Sequence, residues 1–167
     1  EAEGRAALAA YLNRQTKKQP YVTLKLAVSA DGMLGRLGAG QVAITGPVSR
    51  GQVHVLRAET DAILIGIGTA LADDPELTCR LPGLEARSPV RIVLDPRLEL
   101  PPASKLAGTA RAVPVIVVTA KESMDDPALA LRREALEALG VEVLICDPRR
   151  LDALLTALAT RGISSLL

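Results

Sequence analysis

The chain has 167 residues, enough for one domain with a core of ordinary size. Hydrophobic residues make up 49% and charged residues 23%, a globular composition, and the formal net charge of +1 gives no strong field toward nucleic acid or an acidic membrane. Phe and Trp are absent and only Tyr11 and Tyr21 are aromatic, so the core must be aliphatic and base stacking is nearly unavailable.

Residues 1–13, rich in Ala, Leu and Glu, read as a helix. Their charge excludes a signal peptide, and no stretch reaches the ~20 apolar residues of a membrane span. The expected location is cytoplasmic. A polar linker follows and closes at Pro20, which disfavours helix at Gln19. From Tyr21 to Ser29 the pattern is that of a strand, with Val22, Leu24, Leu26 and Val28 on one face and Thr23, Lys25, Ala27 and Ser29 on the other. Asp31-Gly32 signals a turn, and the glycine-rich stretch 32–41 reads as a loop.

Thr45 or Gly46 can cap a helix whose first turn holds Pro47, where the missing N–H does no harm. Residues 61–68, DAILIGIG, form a short buried strand, and 71–80, LADDPELTCR, a loop. A strand over 89–95 and a Pro-rich crossing segment come next. Strand 113–120, helix 127–139 closed by Gly140, strand 141–147, helix 150–160 and the opening of a strand at ISSLL complete the order. Alternating helices and continuously apolar strands specify an α/β fold with a largely parallel sheet covered on both faces.

In such folds ligands bind at the carboxyl ends of the strands. That places Ser29, Asp31, Gly32, Gly66, Gly68, Thr69, Asp73 and Asp95 where chemistry could occur. Gly66 and Gly68 serve either a tight turn or the close approach of a ligand to the backbone. Asp73, Asp74 and Arg80 form either a solvated turn or a loop offering a carboxylate and a guanidinium. Arg57 is a surface charge or, with Arg80, a bidentate clamp for phosphate. Lys25 either reaches solvent or lines a pocket. His54 reads as structural or exposed rather than catalytic. Cys79 and Cys146 are too far apart in sequence, with a single histidine, for a zinc or disulfide framework, and no metal is expected.

The segments PYVTLKLAVSADG, AITGP, LRAETDAILIGIGTALADDPELTCR and PVRIVLDPRLELP, in this order, resemble the reductase domain of the bifunctional riboflavin-biosynthesis deaminase/reductase. The resemblance implies a dihydrofolate-reductase-like α/β fold and the use of NADPH. It implies reduction of the ribosyl chain of 5-amino-6-(5-phosphoribosylamino)uracil to a ribityl chain. Carried over by motif, Lys25 touches the substrate ribose and helps polarise it, and Asp73 orders the reacting centre. Ala27, Thr69 and Asp73 meet the cofactor, while Lys25, Arg57, Leu77 and Arg80 hold the substrate.

Residues 1–19 resemble a linker helix from an upstream deaminase, and 20–167 a reductase domain expected to be truncated before its glycine-rich Val-Glu-Gly-Gly segment. The deaminase's zinc motifs are absent from the sequence given. Gln41 and Ala43 stand where the family has Ser and Trp. The implied partners are the small-molecule substrate and a second copy in a homodimer, with no nucleic acid and no membrane. A pterin reductase on the same fold, or a non-catalytic nucleotide-binding module, is the alternative.

Overall fold

Three pentads and one tetrad rich in Val, Ile and Leu set the centre of the molecule. A computed structural model describes residues 8–35, 42–121 and 126–167. In it, β2 (Ala62–Gly66), β3 (Val90–Leu94), β4 (Val115–Thr119) and β5 (Glu142–Ile145) lie side by side and parallel. With β1 (Tyr21–Val22) and β6 (Ser165–Leu166) they make one six-stranded sheet in the order β1-β6-β2-β3-β4-β5. Every pairing is parallel.

Parallel strands need crossovers, and the crossovers cover both faces. One face packs Ile63, Val93, Val115 and Val117 against Ala70, Leu77, Leu106 and Leu136. These come from α3 (Ile67–Asp73), the loop after it, α4 (Lys105–Gly108) and α5 (Pro127–Ala138). The other face packs Ala62, Ile92, Ile116 and Val118 against Leu154 and Leu158 of α6 (Leu151–Thr160). The aliphatic core and the α/β class expected from composition are both present.

Helix ends follow their signals. Gly46 caps α2 (Pro47–Glu59) with extended backbone, and Pro47 sits in its first turn. Asp126 caps α5 through its carboxylate, which accepts from Ala128 N. Gly140 closes the α5–β5 turn at φ +93°, and an added Cβ would meet Arg111 Cγ at 2.9 Å.

Four expectations are corrected. The strand Tyr21–Ser29 is in the ladder only over Tyr21–Val22. Its partner β6 reaches only Leu166, with Thr23 N donating to Leu166 O, and the following residues run on without a neighbouring strand. Leu24, Leu26 and Val28 are therefore 81%, 58% and 49% exposed. The strand expected over 61–68 stops at Gly66, and the loop expected from Leu71 begins as the end of α3, because Ile67–Asp73 takes up helix directly. The first helix, α1 (Ala9–Lys17), runs into the expected linker and closes at Lys18 with φ 57°. The Pro-rich crossing holds a short helix, α4, capped by the Ser104 hydroxyl. Residues 1–7 and 36–41, on which parts of the first helix and the glycine-rich loop fall, lie outside the described residues.

Asp95 is also reassigned. It stands at the carboxyl end of β3 but is fully buried, its carboxylate accepting from Glu99 N at 2.9 Å and Leu100 N at 2.8 Å. Its lone pairs are consumed by the turn that starts the Pro-rich segment.

Candidate active site

The residues after β1, the helix α2 and the loop after α3 come together, the loop reaching the amino end of β3, where Ser88 and Arg91 hold it, rather than the carboxyl ends expected for a ligand site. They enclose a cleft of about 370 Å³ lined by Lys25, Ala27, Arg50, His54, Arg57 and Arg80 together with residues 42–45 and Val53. Lys25 and Ala27 are two apart in an extended segment and so share one side of it. Arg50, Val53, His54 and Arg57 recur at helical spacing and so share one face of α2.

The loop 74–80 supplies the opposite wall. Asp74 leaves α3 at φ 39° and its carboxylate accepts from Lys105 N at 2.9 Å. Leu77 adopts φ 58° and turns its side chain into the core. Beyond it the main chain is held by other elements. Arg57 Nη1 donates to Thr78 O at 3.0 Å, Ser88 Oγ accepts from Cys79 N at 3.0 Å, and His54 Nδ1 accepts from Arg80 N at 3.1 Å. Behind the loop, the buried Arg91 Nη1 donates to Glu76 O at 3.2 Å. The terminal nitrogens also donate to Thr109 and to Val113 O, while Arg91 Nε is buried with no hydrogen-bond partner among the described residues.

The charge in the cleft is lopsided. Lys25, Arg50, Arg57 and Arg80 face it, and the nearby carboxylate, Glu76, is paired with Arg80 at 2.7 Å. The Arg80 guanidinium keeps the Glu76 carboxyl below the ordinary carboxylate range. Burial, and then the like charge of Arg80, push the Arg57 guanidinium down from its usual value, and its Nε is buried with no hydrogen-bond partner. A desolvated guanidinium with an unused donor, beside a second one, is built to receive an anion.

At the β2–α3 junction the two glycines have ordinary backbone. Gly66 has φ −81°, and a Cβ at Gly66 or Gly68 would meet no atom within 4 Å. Neither serves a tight turn, so that reading falls. Open space over two glycines next to a strand end leaves the backbone accessible to a ligand.

Comparison with known proteins settles the family. The model of the family described as the RibD C-terminal domain matches residues 20–167. The chain belongs to that family. Curated relatives of this RibD C-terminal domain include the riboflavin biosynthesis protein RibD of Aquifex aeolicus, 43% identical over 130 residues, 78% of this chain and 34% of the relative. RibD of Actinobacillus pleuropneumoniae is 36% identical over 154 residues, 90% of this chain and 39% of the relative. The chain thus spans little more than a third of the length of these curated relatives. A deaminase/5-amino-6-(5-phosphoribosylamino)uracil reductase of Thermotoga maritima has a similar structure, with TM-score 0.80 and 32% identity over 100% of this chain and 43% of that one. The match extends to the dihydrofolate-reductase-like fold of the family.

Within this RibD C-terminal domain, four of the expected site residues are brought together in the cleft: Lys25, Ala27, Arg57 and Arg80. Thr69 and Asp73 stand outside it, exposed on α3 beside Gly66 and Gly68. Leu77, expected to hold the substrate, does not line the cleft; its side chain packs in the core. Of the replaced family positions, Ala43 lines the cleft and Gln41 lies outside the described residues. Sequence reading passed over Arg50 and undervalued His54. Their one available signal was helical spacing from Arg57, on a helix whose cleft-facing side had not yet been assigned.

Proposed function

We propose that the chain is the reductase portion of a riboflavin-biosynthesis enzyme, using NADPH to convert 5-amino-6-(5-phosphoribosylamino)uracil to its ribityl form. The observation that carries this is the cleft itself. It gathers Arg57, Arg80 and Lys25 around an uncompensated positive field in a RibD C-terminal domain. The arginines fit a terminal phosphate, and Lys25 lines the same cleft, where it can reach a sugar attached to that phosphate.

When bound, the nicotinamide supplies a hydride to ribose C1′. This chain's residues supply the rest. Ala27 keeps its side of the cleft shallow, so that a flat ring can approach the segment after β1. Gly66 and Gly68 leave the β2–α3 backbone open, and Thr69 and Asp73 border the same space. Lys25 donates to a ribose oxygen, stabilising the charge that builds up there as the carbon is reduced. Asp73 orders the cofactor side of the reacting centre. Arg57 and Arg80 fix the far end of the substrate, and the fixed phosphate converts binding energy into position at C1′. Arg57 is already tied to Thr78 O, so its remaining donors are aimed with little further loss of side-chain entropy.

The reading includes a homodimer in the cytoplasm. Uncovered apolar side chains at Leu24, Leu26 and Val28 leave area for a second copy, and no helix among the described residues is long and apolar enough to cross a membrane. Sedimentation of the full-length protein tests the dimer.

The test of activity is NADPH oxidation by the full-length protein with the phosphoribosyl substrate and with its dephosphorylated counterpart. Turnover with the first, and a KM at least about tenfold higher with the second, is expected from loss of two charge-assisted contacts. NADPH binding without turnover of either compound overturns the assignment. Equal KM values overturn the phosphate clamp alone.

A further inference from the structure

The face of α2 that lines the cleft carries His54 one turn before Arg57. His54 and Arg57 tie this helix at three points to the loop across from it. His54 Nδ1 accepts from Arg80 N at 3.1 Å, the His54 carbonyl oxygen accepts from the Cys79 thiol at 3.5 Å, and Arg57 holds Thr78 O. A ring that accepts at Nδ1 carries its proton on Nε2. Besides Arg80 N, the Thr78 main chain lies in hydrogen-bonding reach of the ring, and the ring lines the cleft.

We propose that His54, in its neutral form, is a substrate-positioning residue: Nδ1 holds Arg80 in register with Arg57, and Nε2–H is a further donor to the phosphate those arginines take. The proposal rests on the phosphate reading of the cleft given above. Three consequences of the geometry support it. Arg80 is otherwise an exposed side chain on a loop, and among the described residues its only side-chain partner is Glu76. The histidine fixes the main-chain atom from which that side chain departs. An imidazolium could not do this, because it has no lone pair for Arg80 N–H.

The groups facing the ring also favour the neutral form. Arg50 and Arg57 face it from its own helix, Arg80 and Glu76 from the loop, and Lys25 from the segment after β1. Four cations stand against one carboxylate that Arg80 already occupies. Burial, then Arg57 and Arg80, hold the ring below its ordinary 6.5.

Residue shape allows the two roles to be separated. Asparagine at position 54 places an amide oxygen near the place of Nδ1 and has nothing at Nε2. Glutamine places an amide nitrogen near Nε2 and lacks the Nδ1 acceptor. The experiment measures binding of ribose 5-phosphate and of ribose by calorimetry to the full-length protein and to its His54→Ala, His54→Asn and His54→Gln variants. Ring-nitrogen NMR of the wild type is recorded at pH 7, and KM and kcat are measured alongside.

Expected are about tenfold weaker ribose 5-phosphate binding for His54→Ala and partial recovery, to within about threefold of wild type, for Asn and Gln. The loss falls on KM more than on kcat, and NMR finds Nδ1 bare and Nε2 protonated. Unchanged ribose 5-phosphate affinity in His54→Ala, or a proton on Nδ1, overturns the proposal while leaving the phosphate clamp standing. Failure of the wild type to prefer ribose 5-phosphate over ribose overturns both.

Discussion

Arg91 is the residue whose role is least visible in the sequence. It interrupts the apolar run of β3, and in the fold it is fully buried, with no ion pair to a carboxylate among the described residues and the Glu76 charge acting only through space. Burial pushes its guanidinium down to about 10, still far above neutrality, so it remains a cation whose terminal nitrogens, but not Nε, are met by neutral acceptors on the loop and behind α4. Truncation would orphan those acceptors at once. Arg91→Met is expected to cost about 2–4 kcal/mol in urea unfolding, while an exposed control such as Arg97→Met costs under about 0.5 kcal/mol. His54 gives a second residue-scale prediction. Its folded-state value lies below 6.5, so the folded protein favours the neutral ring. Its contribution to stability is full above 6.5 and is lost as pH falls from there through the lower folded value. The drop in thermal midpoint between pH 7 and pH 5.5 should be larger in the wild type than in His54→Gln. Lys25, Arg57 and Arg80 were left open by their own surroundings and singled out by resemblance to the family's motifs; the fold brings all three to one cleft. His54 and Arg91 were not legible, since what defines them is a main-chain partner 26 and 15 residues away.

At the scale of elements, the second half of the chain was readable nearly to the residue. Its strands announce themselves through runs rich in Val, Ile and Leu and its two longer helices through the glycines that follow them, and these elements bury much of both faces. The misreading at residues 61–80 has a physical cause. Ile67, Leu71 and the glycines continue an apolar string, and nothing in composition distinguishes a strand that goes on from one that turns directly into helix at Gly66. The junction yields a prediction in which stability and function move oppositely. Gly68 lies inside α3 with an unobstructed Cβ position. Gly68→Ala should raise stability by up to about 1 kcal/mol through helix propensity. If the cofactor passes close over this backbone, the same substitution lowers NADPH affinity by at least about fivefold. Differential scanning calorimetry and a fluorescence titration with NADPH read the two effects separately.

Across the whole molecule, order is graded from the sheet centre to the segment after β1. β3 and β4 each have strands on both sides, whereas residues 24–28 run beside β1 without a ladder. In hydrogen exchange of this 167-residue chain, the amides of Leu24–Val28 should exchange orders of magnitude faster than those of Ile92, Val93 and Val117. Comparable protection would mean that the apolar segment is covered in solution. The opening strand was readable as extended but not as unpaired, because pairing depends on what lies alongside and alternation records only the strand's own two faces. The cleft loop shows the same dependence on distant parts put to use. Its shape is held at Glu76 O, Thr78 O, Cys79 N and Arg80 N by side chains of β3, α2 and Ser88. All four gripped atoms are main-chain atoms, present whatever residue occupies the position. The loop can therefore change the side chains it shows to a ligand at 76, 78 and 80 without forgetting its conformation, so selection could alter substrate preference there while leaving the scaffold untouched.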